Sequence, residues 1–294
     1  MLKSPQSRRI LLLALAMAAL QLLACAVGRS YYLTQLTMAA YTAVVVMGLS
    51  LLMGYAGQVS LGHAAFVALG GYTSALLTTA DLTAFAGRGI GALLYRSGIL
   101  VTRSRLFGQS DVVSVSPWAA FLAAVLLTAA IAAVVGYPAL RLRGHYLAMA
   151  TLGFGLIVYR VLLVSDFTGA ADGVSGIPAW SVLPVLRISA KPPDRVPNYY
   201  VACGLVLLAL LFLLNVVNSR AGRALRAIHG GETAAGASGV NTGAYKLRAF
   251  VLSAVFAAAA GSFLAHYTGS VSPGDSDGVA YIAPDPLDAE YPSG

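Results

Sequence analysis

LLMGYAGQVSLGHAAFVALGGYTSALL, residues 51–77, carries a polar, glycine-rich break inside otherwise strongly apolar chain. The break itself is GYAGQVSLGH, residues 54–63, and apolar stretches at 36–53 and 64–77 flank it. Irregular backbone at membrane depth survives only where protein or an aqueous cavity satisfies its N–H and C=O groups. Broken helices of this kind line the binding sites of transporters. Gly54, Gly57, Gln58, Ser60 and Gly62 are therefore candidate pathway residues, with the break near 54–63 read as a broken or re-entrant segment.

Composition puts the rest of the chain in the same setting. Of the 294 residues, 58% are hydrophobic and 10% charged, with a mean hydropathy of +0.77. Soluble domains carry about 25% charged residues, so the expectation is an all-α, polytopic transmembrane bundle. Hydrophobic segments follow one another without a soluble block, which makes one membrane domain of residues 1–273. The net charge of +8 is spread over the connections between apolar stretches, where orientation and anionic lipid account for it rather than nucleic acid. Cys25 and Cys203 both lie in apolar stretches and read as small buried hydrophobes.

Segments of about 20 apolar residues cross a bilayer as helices. Seven are expected, at 10–27, 33–53, 64–80, 117–136, 146–164, 199–217 and 248–268. The first follows Lys3, Arg8 and Arg9 and looks like a secretory signal, but its apolar run exceeds a signal's 7–15 residues. It reads as a first span. The third is short and holds Gly70 and Gly71, which suits a tilted or partly inserted helix. With the N-terminus cytoplasmic, the inner segments hold 10 basic residues and the outer ones 8, four of the latter in the long 81–116 connection. Long loops cross with less regard to charge, so the compact Arg-rich loops decide for a cytoplasmic N-terminus. Within 81–116, the run 89–101 is apolar enough to lie on a membrane and too short to span it. The outer connection 165–198 suits a lid, a docking surface or a solvated connector.

Residues 218–247 are too polar to cross and too rich in alanine for a passive linker. Arg223 and Arg226 share one helical side while Leu225 and Ile228 mark another. Such a short amphipathic helix suits docking in a partner's groove. His229-Gly230-Gly231 then interrupts the helix, because each glycine costs about 1 kcal/mol in a helix interior. Next come Glu232, Ala234, Ala235 and Gly239 in the spacing ExAAxxxG. The last apolar segment carries Ser253, Ala257, Gly261 and Ala265 four apart, a small-residue stripe that lets another helix approach closely, in this chain or in a partner. His63, His145 and His266 fall at segment edges and read as interfacial. No metal-ligand spacing and no catalytic constellation stands out. No lysine follows a glycine, so the chain has no P-loop to cradle ATP.

Residues 51–77, 141–155 (RLRGHYLAMATLGFG), 169–178 and 220–273 resemble the LivM-type permease subunits of bacterial branched-chain amino-acid ABC importers. The resemblance implies a translocation path formed by this chain, with Arg223, Arg226, Glu232, Ala234, Ala235 and Gly239 contacting the ATPase subunits. It further implies two ATP-binding subunits that hold ATP and Mg, a second and different permease, a periplasmic substrate-binding protein, and a bacterial inner membrane. Urea and short-amide permeases are related and remain alternative readings, as do an ATP-independent transporter or channel and a non-transporting remnant. The expected resemblance ends at Pro273. The tail 274–294 holds five of the eleven acids and no further span, so it reads as a disordered tail left by truncation or frameshift.

Overall fold

The computed structural model describes residues 5–26, 31–83, 95–96, 98–103, 112–142, 144–182, 186–189 and 191–274. The acidic tail from 275 onward and most of the run 89–101 lie outside these residues. Helices stand at all seven expected positions: α1 (Pro5–Ala26), α2 (Tyr31–Ser50), α3 (His63–Thr79), α4 (Pro117–Ala139), α5 (His145–Val164), α6 (Arg195–Asn218) and the last, Thr242–Thr268. Two shorter helices, α7 (Arg220–Gly230) and α8 (Glu232–Ala237), precede that last one, which is therefore α9. Five are long and apolar enough to cross a membrane: α2 with its extension to Tyr55, α4, α5, α6 and α9. Seventeen residues make α3 about 26 Å long, a little short of a hydrocarbon core of roughly 30 Å.

The most enclosed of the five is α9, with 61% of its apolar window buried against 22–33% for the others. Its small residues explain why. A methyl group on Gly261 would run into the carbonyl of Val67 on α3, and one on Gly70 into the backbone of Ala258. Gly71 faces Gly261 and Ala265 across the same seam. Without a hydrophobic drive between helices in lipid, such backbone contact is what holds a helix pair together. The small-residue stripe of α9 is thus used within this chain, and Gly70 and Gly71 serve helix packing. On a second side Gly48 of α2 closes onto Ser253, where a methyl would stand 3.0 Å from its carbonyl oxygen.

A third stripe, Ala120, Ala124, Thr128, Ala132 and Gly136, is buried along α4. Outward faces are apolar instead: Leu126, Val134, Met149, Ile157, Val164 and Leu208 are all more than half exposed, as lipid-facing side chains are.

Short antiparallel pairs decorate the connections. β1 (Leu100–Arg103) pairs with β2 (Val112–Val115), so residues 100–101 of the apolar run belong to a strand pair and Leu100 is buried. β3 (Val174–Ser175) pairs with a short strand at Ser270–Val271 that follows α9. Between them β4 (Trp180–Ser181) pairs with β5 (Arg187–Ile188), which makes the strand after α9 β6. Trp180 stacks on Phe263 at 4.6 Å and meets His266 at 5.2 Å, sealing this end of the bundle with aromatic rings.

Candidate functional site

At its C-terminal end α2 widens into a π-helical turn, Leu51–Tyr55, and the chain then leaves helical geometry from Gly57 to Gly62 before α3 begins. π-turns inside helices mark functional positions more often than regular turns do. The break is packed on three sides. Gly62 lies so close to the carbonyl of Thr151 that no side chain fits, and the N–H of Leu61 donates to the Thr151 hydroxyl at 3.1 Å. Both contacts tie the break to the first turns of α5. Gly57 takes φ +68°, and a methyl there would stand 2.7 Å from Nδ1 of His229 on α7. Only glycine satisfies both conditions without strain.

The third anchor is His63. Ser253 Oγ donates to the Phe250 carbonyl at 2.9 Å, so it accepts from Nε2–H of His63 at 2.9 Å. Nδ1 then accepts from Ser60 Oγ at 3.0 Å. This tautomer follows from donor accounting in the network. His63 is buried, with Phe66 and Phe250 edge-on to its ring. It is a hydrogen-bond hub joining the break to α9, not the interfacial residue its position at a segment edge suggests. His266 differs from expectation in the same way: it is buried, donates from Nδ1 to the Pro178 carbonyl at 2.8 Å and accepts from Ser74 at 3.1 Å.

Of the pathway candidates, Gln58 and Ser60 are each 4% exposed. Neither amide atom of Gln58 has a hydrogen-bond partner among the described residues. A buried polar group left so costs about 1–3 kcal/mol. Gly62 lines a cavity of about 310 Å³ between α3 and α5. Gly54 has open space around it.

Beyond α6 the chain turns sharply at Ser219, and Gly222 in the first turn of α7 packs so closely on the end of α6 that a methyl would strike the Val217 carbonyl. Arg226 braces that corner, donating through Nη2 to the same carbonyl at 3.2 Å and through Nε to Gly222 at 3.4 Å. Leu225 and Ile228 are buried against the bundle, while Arg223 is exposed. α7 ends at Gly230, and extended backbone at Gly231 separates it from α8. Glu232, opening α8, forms a 2.6 Å ion pair with Lys246, whose side chain is 10% exposed in the first turns of α9. Ala235 is buried; Ala234 and Gly239 are exposed. Gly239 takes φ +82°, and Val240 N–H donates to Ala235 while Gly239 N–H donates to Gly236. That is a Schellman ending, and glycine at its left-handed position is the reason the turn closes. Gly239→Ala is expected to cost about 1 kcal/mol and to fray α8, read as faster amide hydrogen exchange over 232–240.

Residues 31–284 match the family described as branched-chain amino acid transport system / permease component. The chain belongs to that family. This permease is 32% identical over 257 residues to the high-affinity branched-chain amino acid transport system permease protein LivM of Salmonella typhimurium, covering 81% of this chain and 53% of that protein. It is also 32% identical over 250 residues to the LivM protein of Escherichia coli, covering 78% and 51%. It thus spans about half the length of the curated relatives it matches. No solved structure matches it. The family match runs to residue 284, past Pro273, where the sequence resemblance was expected to stop. The permease is a multi-pass membrane protein: its matched region contains all five membrane-length helices. Two of its site contacts had no signal in the sequence. These are the His63–Ser253 bond, which joins residues 190 positions apart, and the approach of His229 to Gly57.

Proposed function

We propose that this chain is the transmembrane permease subunit of an ATP-driven importer of branched-chain amino acids in the bacterial inner membrane, with its N-terminus in the cytoplasm. It pairs with a second, different permease, receives substrate from a periplasmic binding protein, and is driven by two ATP-binding subunits that hold ATP and Mg. Residues 1–273 form the membrane domain and 218–247 its cytoplasmic coupling loop. The observation that carries this reading is the contact of α7 with the break through His229 and Gly57. An ATPase engaging the exposed side of α7 and α8, at Arg223, Ala234 and Gly239, pushes on a unit that already touches the irregular segment through His229. Movement there shifts Gly62 against α5 and His63 against α9, the elements that open and close a route. Gln58, with its unbonded amide, and Ser60 are the polar groups that such a shift brings to the route. An otherwise apolar lining suits aliphatic side chains.

The test is capture and uptake with the assembled transporter. Wild-type chain co-expressed with its companion subunits is expected to retain an ATPase subunit through detergent purification and to take up leucine in proteoliposomes only with ATP. Arg223→Glu and Gly239→Val should each lower ATPase capture at least tenfold. Glu232→Gln should do so by a different route, because it leaves the enclosed Lys246 ammonium without its carboxylate and loosens α8. Uptake that proceeds without ATP, or uptake of urea or short amides in preference to leucine, overturns the reading.

A further inference from the structure

Where α4 gives way to α5 the chain reverses within residues 140–144, and the outward-facing side chains there come in a set order. On α4 Val134 and Tyr137 are three apart and share one side of the helix. Arg141, just past the helix end, stays on that side, with its guanidinium over the Tyr137 ring. On α5 Tyr146 and Met149 are likewise three apart. Val134 and Met149 belong to the apolar outer surface, while Tyr137 and Tyr146 are 60% and 73% exposed. Tyrosines so placed sit at the level of lipid headgroups. Hydrocarbon depth thus falls at Val134 and Met149, headgroup depth at the two tyrosines, and phosphate depth at Arg141.

Arg141 is held in place by that tyrosine. Its Cζ lies 4.7 Å from the ring centroid, and its Nη2 donates to the phenol oxygen at 2.7 Å. Because the phenol oxygen accepts, its own proton is left to donate elsewhere. Arg141 keeps its other N–H donors, and among the described residues no carboxylate pairs with it. The backbone beneath is fixed: Arg141 N–H donates to the Pro138 carbonyl at 3.2 Å and Leu142 N–H to that of Ala139 at 3.0 Å. Charge at this end of the bundle is of one sign. α9 starts beside the end of α4, where a methyl on Gly136 would stand 2.8 Å from the Phe250 ring, and it carries the exposed Arg248 over the ring of Tyr245. Glu232 is the one acid at this end among the described residues, and Lys246 already holds it. Asp81, Asp166, Asp172 and Asp194 follow α3 and α5 or precede α6, at the far end.

We propose that the α4–α5 turn binds the headgroup of an anionic phospholipid, one phosphate oxygen on the Arg141 guanidinium and another on the Tyr137 hydroxyl, with acyl chains along Val134 and Met149. An arginine fork suits a phosphate. The unopposed positive rim favours a headgroup of net negative charge over a zwitterionic one, whose own cation it repels. The apolar strip beside the charge decides for a lipid over free phosphate, because a soluble anion gains nothing from Val134 and Met149. Bound there, the lipid bridges α4 and α5, and α5 is the least enclosed of the five membrane-length helices.

The full chain, purified in detergent with its companion subunits, is titrated with phosphatidylglycerol or phosphatidylcholine and read by native mass spectrometry. Wild type should hold phosphatidylglycerol at concentrations at least tenfold below those that phosphatidylcholine needs, and phosphatidylglycerol should raise its thermal midpoint. Arg141→Gln should lose one tightly held phosphatidylglycerol per copy of this chain, together with the rise in midpoint. Tyr137→Phe, which keeps the ring and removes the hydroxyl, should hold that lipid severalfold more weakly. Arg187→Gln, at an exposed arginine of β5 at the far end of the bundle, should match wild type. All three positions are exposed, so midpoints without added lipid should equal that of wild type. Equal retention of the two lipids by wild type, or unchanged retention in both Arg141→Gln and Tyr137→Phe, overturns the site. An equal loss in Arg187→Gln also overturns it, in favour of bulk charge. Displacement of the lipid by inorganic phosphate overturns it in favour of a soluble anion.

Discussion

Gly261→Val is expected to leave almost no folded permease in the membrane. Its Cβ would occupy the place of the Val67 carbonyl, and this is backbone against backbone at the centre of the α3–α9 seam. A flexible side chain can swing aside, but a carbonyl inside a hydrogen-bonded helix cannot move without displacing the helix. Overpacking typically costs about 1–3 kcal/mol, and here the strain also forces Gly70 off Ala258 and Gly71 off Ala265, the contacts one turn away on the same seam. Loss of the seam also pulls His63 from Ser253. The contrasting substitution is Gly204→Ala. Gly204 lies inside α6 with nothing within 4 Å of a new methyl. It should be neutral or stabilise by up to about 1 kcal/mol through reduced backbone freedom. Yield of monodisperse protein in detergent and its thermal midpoint separate the two. Similar midpoints for both variants would show that the seam does not hold α3.

That contrast also marks how much the sequence discloses. A glycine in an apolar helix reads the same at 204 and at 261. What distinguishes Gly261 is the i+4 row of Ser253, Ala257 and Ala265, and that row is legible because small residues recur at helical spacing. The matching row on α4 is equally regular but drowned in a segment where alanine is everywhere, so no contrast reveals it. The polar break stands out for the opposite reason, as the one interruption in a long apolar run.

Contacts formed by chain reversal are the least legible. His63 and His266 sit at the edges of apolar segments, which predicts an interface, yet each meets a serine about 190 residues away and is buried. Arg223 and Arg226 share an exposed helical side, but the corner at Ser219 lets both guanidiniums donate back to carbonyls at the end of α6, Arg223 to Asn218 and Arg226 to Val217. Periodicity assigns a side of a helix; only the fold says what that side meets.

The joint between the break and α7 should appear as a double-mutant cycle at Gly57 and His229. Gly57→Ala places a side chain at φ +68°, a left-handed conformation that costs non-glycine residues on the order of 1–3 kcal/mol, and pushes its methyl to 2.7 Å from the His229 ring. His229→Ala removes an exposed side chain at the end of α7 and should by itself change stability by no more than about 0.5 kcal/mol. In the double variant the methyl has room, and only the backbone cost remains. The expected coupling is therefore about 1 kcal/mol, within the range for residues in direct contact. Transport gives the sharper reading. If α7 drives the break, Gly57→Ala should lower ATP-dependent leucine uptake per folded transporter well beyond any loss of stability, since the methyl wedges apart the two surfaces that transmit force. His229→Ala added to it should then recover part of the stability without recovering the uptake, because the ring that pushed on the break is gone. Strict additivity of the two substitutions in both stability and uptake would sever α7 from the break, and with it the proposed coupling of an ATPase to the membrane segment.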